Sequence, residues 1–502
     1  MEAVNSEITL SFLKTLSIAG YRGFNEKRVI NLAVPKDNRE GSGLTIITGA
    51  NNSGKSTVIE ALRARSGHQA PSFSEGIRNK HADFVEIVYE FESGSQGNDC
   101  PIEVIQSQVV GSSQSVHTKG GIDFTSRRQE IEVNPISVVP SRRGFQAYFQ
   151  RSEGTLQDYH RNSGLPARRM SELTYFEMRL FDIEKDPSNF NKLLGELLGY
   201  IPQWTIDQSS EGNYYIRLRN GAASHSSDGA GEGIISLFSI VDALTSTPPG
   251  GIVAIDEPEL SLHPAIIRRL VRAIVRLSAE RQIIISTHSP YFIDPVAIAH
   301  GAALVRVISV NGDSKIYQLS EHGRAALKKI HDPDNPNTKA PHTFGLDARE
   351  LFFQDDGIVL TEGQDDVMLY PVIARQLSIG HVPGHLFGWG IGGAGNMHHF
   401  CRILQEMGYK KVAGILDNDQ EEALPKLKKD FPEYKFFLIP AKDVRDKEAV
   451  SARPAVNGLL ENAKTLREEY LKPMELIFEA IRASFEDEVE SVPLSASGHP
   501  KK

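Results

Sequence analysis

Apolar positions along the chain fall into two regions of alternating strand and helix, joined by a stretch with no apolar period. Residues 12–35 alternate apolar and polar around Leu13, Leu16, Ile18 and Tyr21, with a break at Gly23, which predicts a strand pair. Leu44–Thr48 reads as a short apolar strand and Val58–Ala64 as the beginning of a helix, with a glycine-rich loop between them. Strands are expected near 102–110 and 130–139 and helices near 171–200, and 145–225 reads as a helical insertion or lateral subdomain. Strong patterning resumes at Ile234 and runs through strand Ile252–Ile255, helix Pro264–Leu277 and strand Gln282–Ser286. The segment HDPDNPNTKAPHTFG (331–345), rich in Pro, Asn and Asp, reads as an interdomain linker. Strand Ile358–Thr361, helix 365–377 and strands Val412–Leu416 and Lys435–Ile439 then alternate as in an α/β domain. Residues 455–486 read as helical, the final SVPLSASGHPKK as a loose tail, and no internal repeat is found. The expected order is an α/β domain over 1–330, a linker over 331–350, a second α/β domain over 351–450, and a helical segment with a tail over 451–502.

The loop between the first strand and helix is GANNSGKST, Gly49–Thr57, and it fits G-x-x-x-x-G-K-[ST] at every fixed position. Gly49 and Gly54 permit a tight turn whose backbone N–H groups can surround a β-phosphate at the positive end of the following helix. Lys55 would reach the β- and γ-phosphates of ATP and Ser56 would ligate Mg²⁺, with Asn51, Asn52 and Thr57 alongside. Further on, IVAIDE (252–257) delivers Asp256 toward the same Mg²⁺, and Glu257 can orient or deprotonate the attacking water. PELSLHP (258–264) follows, and the strand after it runs into Thr287-His288-Ser289, where His288 can sense a γ-phosphate. The order P-loop, acidic strand, PELSLHP and His288 resembles the ABC-type ATPases, in which a signature loop from a second protomer closes over the nucleotide. The best match to that loop is Ser227–Gly233, where Ser227 and Gly229 could donate to a γ-phosphate. Its wording departs from LSGGQ, it also reads as a flexible connection, and no Q-loop is identifiable.

Composition narrows the setting. A chain of 502 residues predicts two or three domains, and 40% hydrophobic with 24% charged residues is enough to build cores. No apolar run of about 18 residues is present and the N-terminus lacks a secretory pattern, so no membrane partner is expected. Only Cys100 and Cys401 occur, which fits a reducing cytoplasm and excludes a four-cysteine zinc site. A net charge of -9 gives no global sign of nucleic acid, so positive charge for DNA would have to be local.

The second region carries a different chemistry. Strand GIVLTEG ends on Glu362-Gly363, with Asp365 and Asp366 directly after it, and strand VAGIL ends on Asp417-Asn418-Asp419. Both acidic sets lie at the carboxyl ends of strands, where α/β sheets place their sites. Glu362, Asp366, Asp417 and Asp419 would repel one another there unless a divalent cation neutralised them, and oxygen-only donors point to Mg²⁺ or Mn²⁺. Two such ions can activate a water and stabilise the leaving oxygen in phosphodiester cleavage. IPAKDVRDKE (439–448) adds Asp443, Asp446, Glu448, Lys442 and Lys447; Glu448 is the preferred further ligand and Lys447 the preferred phosphate-stabilising cation.

E-G-x-x-D followed by D-x-D, with GWGIGGAGNM (388–397) between them, resembles the Toprim domain. An ABC-type ATPase fused to a C-terminal Toprim domain resembles the OLD (overcoming lysogenization defect) family, which includes nucleases of Gabija and of some retron defence systems. The resemblance spans about 12–450 and implies an ABC-type P-loop domain with a helical insertion followed by a Rossmann-like Toprim domain. It further implies Mg²⁺-dependent DNA cleavage, a homodimer or larger assembly through the ATPase half, and a role against foreign DNA with a defence partner protein or retron nucleic acid.

Arg127-Arg128, Arg142-Arg143, Arg168-Arg169 and the helical series Arg268, Arg272 and Arg276 are the basic groups that could meet DNA. A rival reading is a nucleotide-driven clamp or sensor whose Toprim domain binds a partner without cutting. Two cysteines cannot build the zinc module of a Toprim primase, and the residues after the Toprim region leave little room for a topoisomerase's tyrosine domain.

Overall fold

In the computed structural model, the described residues are 11–65, 78–92, 102–108, 115–119, 122–123, 136–151, 154–156, 159–160, 176–220, 223–229, 231–332, 344–353, 357–449 and 454–486. Statements of absence or number below refer to these residues. The chain divides into two compact units, one of Met1–Lys339 with Arg349–Gln354 and Glu406–Gly408, the other of Ala340–Ala348, Asp355–Gln405 and Tyr409–Lys502. Most of the expected linker, 333–343, and the expected tail, 491–502, lie outside the described residues. No helix is long and apolar enough to cross a membrane.

The first unit is built on two six-stranded sheets. Strands Ile136–Val139, Ile252–Asp256, Gln282–Ser286, Leu44–Thr48 and Ala303–Val310 run parallel, and Asp313–Gln318 closes one edge antiparallel. The three central strands are buried along their whole length, which is why they read as continuous apolar runs rather than alternating ones. The other sheet is antiparallel and includes the expected pair Leu13–Ala19 and Arg28–Asn31. Helix Lys55–Ala64 contributes Val58, Ile59, Ala61 and Leu62 to a core shared with residues of both sheets.

Two buried polar groups hold this packing. The Gln282 amide accepts from the Leu13 N–H at 2.9 Å and donates to the carbonyls of Leu13 at 2.6 Å and Ala33 at 2.9 Å, so no polar atom of it is wasted. Arg65, at the end of the helix, donates through Nε and Nη2 to the two Glu103 oxygens at 2.8 and 2.9 Å and lies over the Phe91 ring. The stretch expected as a helical insertion holds helices Phe176–Lys185 and Ser188–Leu198 and, in addition, a three-stranded antiparallel sheet of Gln203–Gln208, Tyr214–Asn220 and Ala223–Ser226.

The second unit has a four-stranded parallel sheet in the order His385–Leu386, Ile358–Thr361, Val412–Leu416, Lys435–Leu438. The chain leaves Ile358–Thr361 for one neighbour and then returns to the other, so the strand order reverses between Ile358–Thr361 and Val412–Leu416. Open α/β sheets bind their ligands at such a switch point. Residues 455–486 are only partly helical: Leu460–Glu461 and Thr465–Leu466 form a hairpin before helix Glu468–Phe485. Asn462 and Ala463 make its turn with positive φ, which a helix cannot include. Met474, Phe478 and Ile481, spaced on one face of that helix, share a core with Val359, Tyr370, Ala413 and Ile415.

The last helix is therefore part of the sheet's core. Phe478→Ala, which removes a ring packed edge-on against Tyr370, is expected to cost about 3–5 kcal/mol in the denaturant transition of this unit. Leu476→Ala on the exposed face of the same helix is expected to change it by less than about 0.5 kcal/mol.

Candidate functional site

The P-loop takes the conformation that its glycines and Asn52 allow. Gly49 has φ +142°, and a Cβ there would stand 2.0 Å from the Val307 carbonyl oxygen, so no side chain fits. Asn52 has φ 62° and Gly54 φ 113°, and Gly54 supplies no side-chain cap to helix Lys55–Ala64. The helix's first N–H groups are thus left to a ligand, with no acidic residue in the first turn to compete. They open on a cavity of about 770 Å³ whose lining includes Asn51, Asn52, Gly54, Lys55, Ser56 and Thr57, together with Asp256, Glu257 and His288.

Lys55 Nζ donates to the carbonyls of Gly49 at 2.9 Å and Ala50 at 2.8 Å, folded onto its own loop. Burial lowers its pKa, and the charges of Glu257, Asp256 and Glu259 oppose that. Ser56 Oγ lies 3.3 Å from Asp256 Oδ1, so the two residues expected to share Mg²⁺ already face each other. Ser286, register partner of Asp256 on the next strand, donates its hydroxyl to the same oxygen. Glu257 leaves the strand with φ 48°, and its Oε1 stands 3.7 Å from His288 Nε2. Burial first, then the adjacent Asp256 charge, raises the Glu257 pKa, as suits a group that takes a proton from water. Burial, then Lys55, lowers that of His288.

Ser227 and Gly229 are not among the residues lining this cavity. Ser227 is buried and donates to the Ala147 carbonyl at 2.9 Å, whereas Gly229 is exposed. Of the basic groups proposed to meet DNA, Arg143 is a correction: it is 2% exposed and its guanidinium binds carbonyls at the end of the acidic strand. Arg142 is exposed and lines the cavity. Arg268, Arg272 and Arg276 are exposed, with Arg276 paired to Glu196 at 2.7 and 2.8 Å. Arg127, Arg128, Arg168 and Arg169 lie outside the described residues.

In the second unit, Glu362 and Asp417 leave adjacent parallel strands at the switch point. Glu362 Oε1 accepts the Asp417 N–H at 2.7 Å, so the backbone of one acidic residue anchors the side chain of the other. The glycine-rich turn folds over them: Ile391 N–H donates to Thr361 at 2.9 Å and Gly393 N–H to Glu362 at 2.8 Å. Gly390 has φ 84°, and a Cβ on it would lie 2.7 Å from the Gly363 carbonyl, so the turn closes only with glycine there. Asp366 is buried and accepts the Gly363 N–H at 2.9 Å as a helix cap. Burial and then the charges of Glu362, Asp443 and Asp365 push its pKa up to about 6. Asp417 is pushed up to about 8 by burial and then by Glu362, Asp366, Asp443 and Asp419. Asp419 is exposed and accepts from Gln420 Nε2 at 2.7 Å.

Asp443, not Glu448, is the acid of the 439–448 segment that joins this cluster. Lys447 folds back one helical turn's distance to pair with Asp443, and Glu448 beyond it is exposed. Asp446 is taken by Arg467 at 3.0 Å and Asp365 by Arg445 at 2.8 Å. No three His, Cys, Asp or Glu side chains among the described residues are already gathered as a metal cage. The donor set nonetheless fits a hard divalent cation, being all oxygen with its charges held within mutual repulsion.

The raised Asp417 pKa sets a sign. Its unfolded value lies near about 4, so between about pH 4 and 8 the native state holds the extra proton. Its stabilising contribution is therefore complete below about pH 4 and is lost as pH rises through about 8. Metal-free Asp417→Asn is expected to gain in melting temperature over wild type more at pH 8.5 than at pH 5; equal gains at both would contradict this site.

Comparison with known proteins completes the picture. A model described as "AAA domain, putative AbiEii toxin, Type IV TA system" matches residues 44–294, half of the chain. One described as "Overcoming lysogenization defect protein-like, TOPRIM domain" matches residues 352–419. The "Old nuclease" of Escherichia phage P2 is 26% identical over 163 residues, 32% of this chain; the chain spans about a quarter of that relative's length, 26%. Among solved structures, an SMC head bound to the C-terminal winged-helix domain of ScpA gives a TM-score of 0.42 at 18% identity, covering 62% of this chain and 98% of that one. The SMC head domain from Thermotoga maritima gives 0.37 at 18%, covering 61% and 99%. These two scores are too low to carry an argument. The chain belongs to the AAA-domain family matched over 44–294, and behind that ATPase it carries a segment similar to the OLD-like Toprim domain.

Proposed function

We propose that the protein is an ATP-regulated, Mg²⁺-dependent DNA endonuclease that nicks or cuts DNA, acting as a homodimer in defence against foreign DNA. The observation that carries this reading is the carboxylate cluster at the switch point, where burial first and then the neighbouring carboxylates push Asp417 up to about 8. A cluster so repelled has a use for a divalent cation. The partial likeness to a protein named Old nuclease supports the choice of substrate class.

Glu362, Asp417 and Asp419 would hold Mg²⁺ or Mn²⁺, with Asp443 and Asp366 behind them adding to the field. Such an ion supplies an activated water and neutralises charge on the phosphodiester. Lys447 is paired with Asp443 and would have to leave that pair to meet a phosphate oxygen. Glu362 is kept in orientation by the Asp417 N–H, and the turn over 388–397 fixes the backbone on which it stands.

In the ATPase unit, the loop N–H groups and Lys55 would bind the phosphates of ATP, Ser56 and Asp256 would hold Mg²⁺, and Glu257 would take a proton from water. Exposed Gly229, outside its own cavity, suits a loop that serves the partner's nucleotide.

Supercoiled plasmid incubated with Mg²⁺ or Mn²⁺, with and without ATP, tests the reading directly. Asp417→Ala is expected to abolish cleavage and leave ATP affinity intact, and unchanged nicking would remove the Toprim site from the mechanism. Lys55→Ala is expected to weaken ATP binding, while Glu257→Gln should bind ATP and slow its turnover by about 100-fold or more. ATP-dependent DNA binding with no cutting in either metal would favour a clamp or sensor instead.

A further inference from the structure

Glu257 and His288 reach their 3.7 Å separation from two separate stretches of chain, the end of the acidic strand and the turn after strand Gln282–Ser286. Neither stretch is regular structure. Glu257 has φ 48°, a left-handed conformation that a glutamate adopts at a cost and only when its surroundings over-determine it. Two side chains, Arg143 and Glu259, do the over-determining.

Arg143 lies beneath the first stretch. Its Nη1 donates to the Asp256 carbonyl at 2.9 Å, and its Nη2 to those of Glu257 at 2.9 Å and Pro258 at 3.2 Å, while Nε bonds the Ser236 hydroxyl. Three consecutive carbonyls are thus gathered by one planar fork. Glu259 lies beneath the second stretch. Its Oε1 accepts both the Thr287 hydroxyl at 2.9 Å and the His288 N–H at 2.6 Å, and Thr287 Oγ1 in turn accepts the Ser289 N–H at 3.0 Å. Glu259 Oε2 is buried without a hydrogen-bond partner, so this carboxylate's hydrogen bonds are concentrated on the switch turn. Burial lowers the Arg143 pKa to about 10, opposed by the charges of Glu259, Asp256 and Glu257, and burial raises that of Glu259.

We propose that Arg143 and Glu259 are positioning residues for ATP hydrolysis, a hydrogen-bonded brace that fixes the backbone under Glu257 and the turn under His288 so that the two side chains face one water. The proposal rests on the ATPase reading above. Glu259 holds His288 through its main chain and leaves the ring free to meet the γ-phosphate. Arg143 sits directly after Pro140, Ser141 and Arg142, which line the nucleotide cavity, so the brace is anchored in the cavity wall.

The test uses the full chain, with ATP turnover, fluorescent-ATP affinity and hydrogen exchange of the 287–292 amides measured on each variant. Glu259→Ala is expected to lower kcat about tenfold or more, to change ATP affinity by less than about twofold, and to speed exchange at His288. Glu259→Gln keeps an acceptor oxygen for both donors and is expected to recover most of kcat. Arg143→Lys, a point charge that cannot span three carbonyls, is expected to stay close to Arg143→Ala. Melting curves identify any variant that has lost its fold, and Glu259→Gln against wild type then decides alone. Wild-type turnover in Glu259→Ala, or a loss of affinity in proportion to rate, overturns the brace. Wild-type protein that binds ATP without hydrolysing it would overturn the ATPase reading and the catalytic meaning of the brace together, whereas exchange at His288 still reports whether Glu259 holds the turn.

Discussion

Asp256 and Glu257 leave the end of a fully buried strand side by side, and their repulsion has to be absorbed by groups from distant parts of the chain. Ser286 and Ser56 donate or stand close to one Asp256 oxygen, Lys55 and Arg143 supply positive charge, and Arg143 also binds the Asp256 and Glu257 carbonyls. The parallel sheet makes this possible. Its register sets Asp256 opposite Ser286 and carries the P-loop on the strand beyond. Removing the order of those strands would leave the same residues with no means of meeting.

The second unit confronts the same problem with a different solution. Its carboxylates also stand where parallel strands end, but the groups that orient them are backbone N–H donors rather than cations: Asp417 N–H on Glu362 and Gly363 N–H on Asp366. Backbone donors orient a carboxylate without cancelling its charge, so the pKa of Asp417 is raised first by burial and then by the neighbouring carboxylates. The cations of the neighbourhood, Arg445 and Lys447, are committed to Asp365 and Asp443 at the margin. One site is thus a neutralised acid pair facing a phosphate cradle, and the other an acid cluster with charge to spare for a metal.

Where expectation and structure part, the reason is long-range packing. Arg143 belongs to an Arg-Arg dipeptide that reads as solvated charge, and nothing local tells that one member turns inward to three carbonyls more than 100 residues away. Glu448 and Asp443 carry the same chemistry four or five residues apart, and the choice between them depends on which side of a loop faces the strand ends. The hairpin at 460–466 hides within an apolar pattern that a helix would also satisfy; Asn462 was the one turn signal available there. Glu259 was legible as part of PELSLHP but not as a tether of His288, because the two are joined only across neighbouring strands.

The sequence by itself determined the P-loop, the acidic strand and the two sets of carboxylates, because each is a short run whose chemistry and flanking strand or helix are local properties. It also determined that most of these acids would stand at strand ends, since burial of a parallel strand demands an unbroken apolar run and the first polar residue marks its exit. Tertiary structure alone decided which strands are neighbours, and therefore that Ser56 faces Asp256, that Glu257 faces His288 and that Glu362 is held by Asp417. Those pairings are set by sheet order and by the packing of side chains far apart in the chain, and no local pattern of residues carries that information.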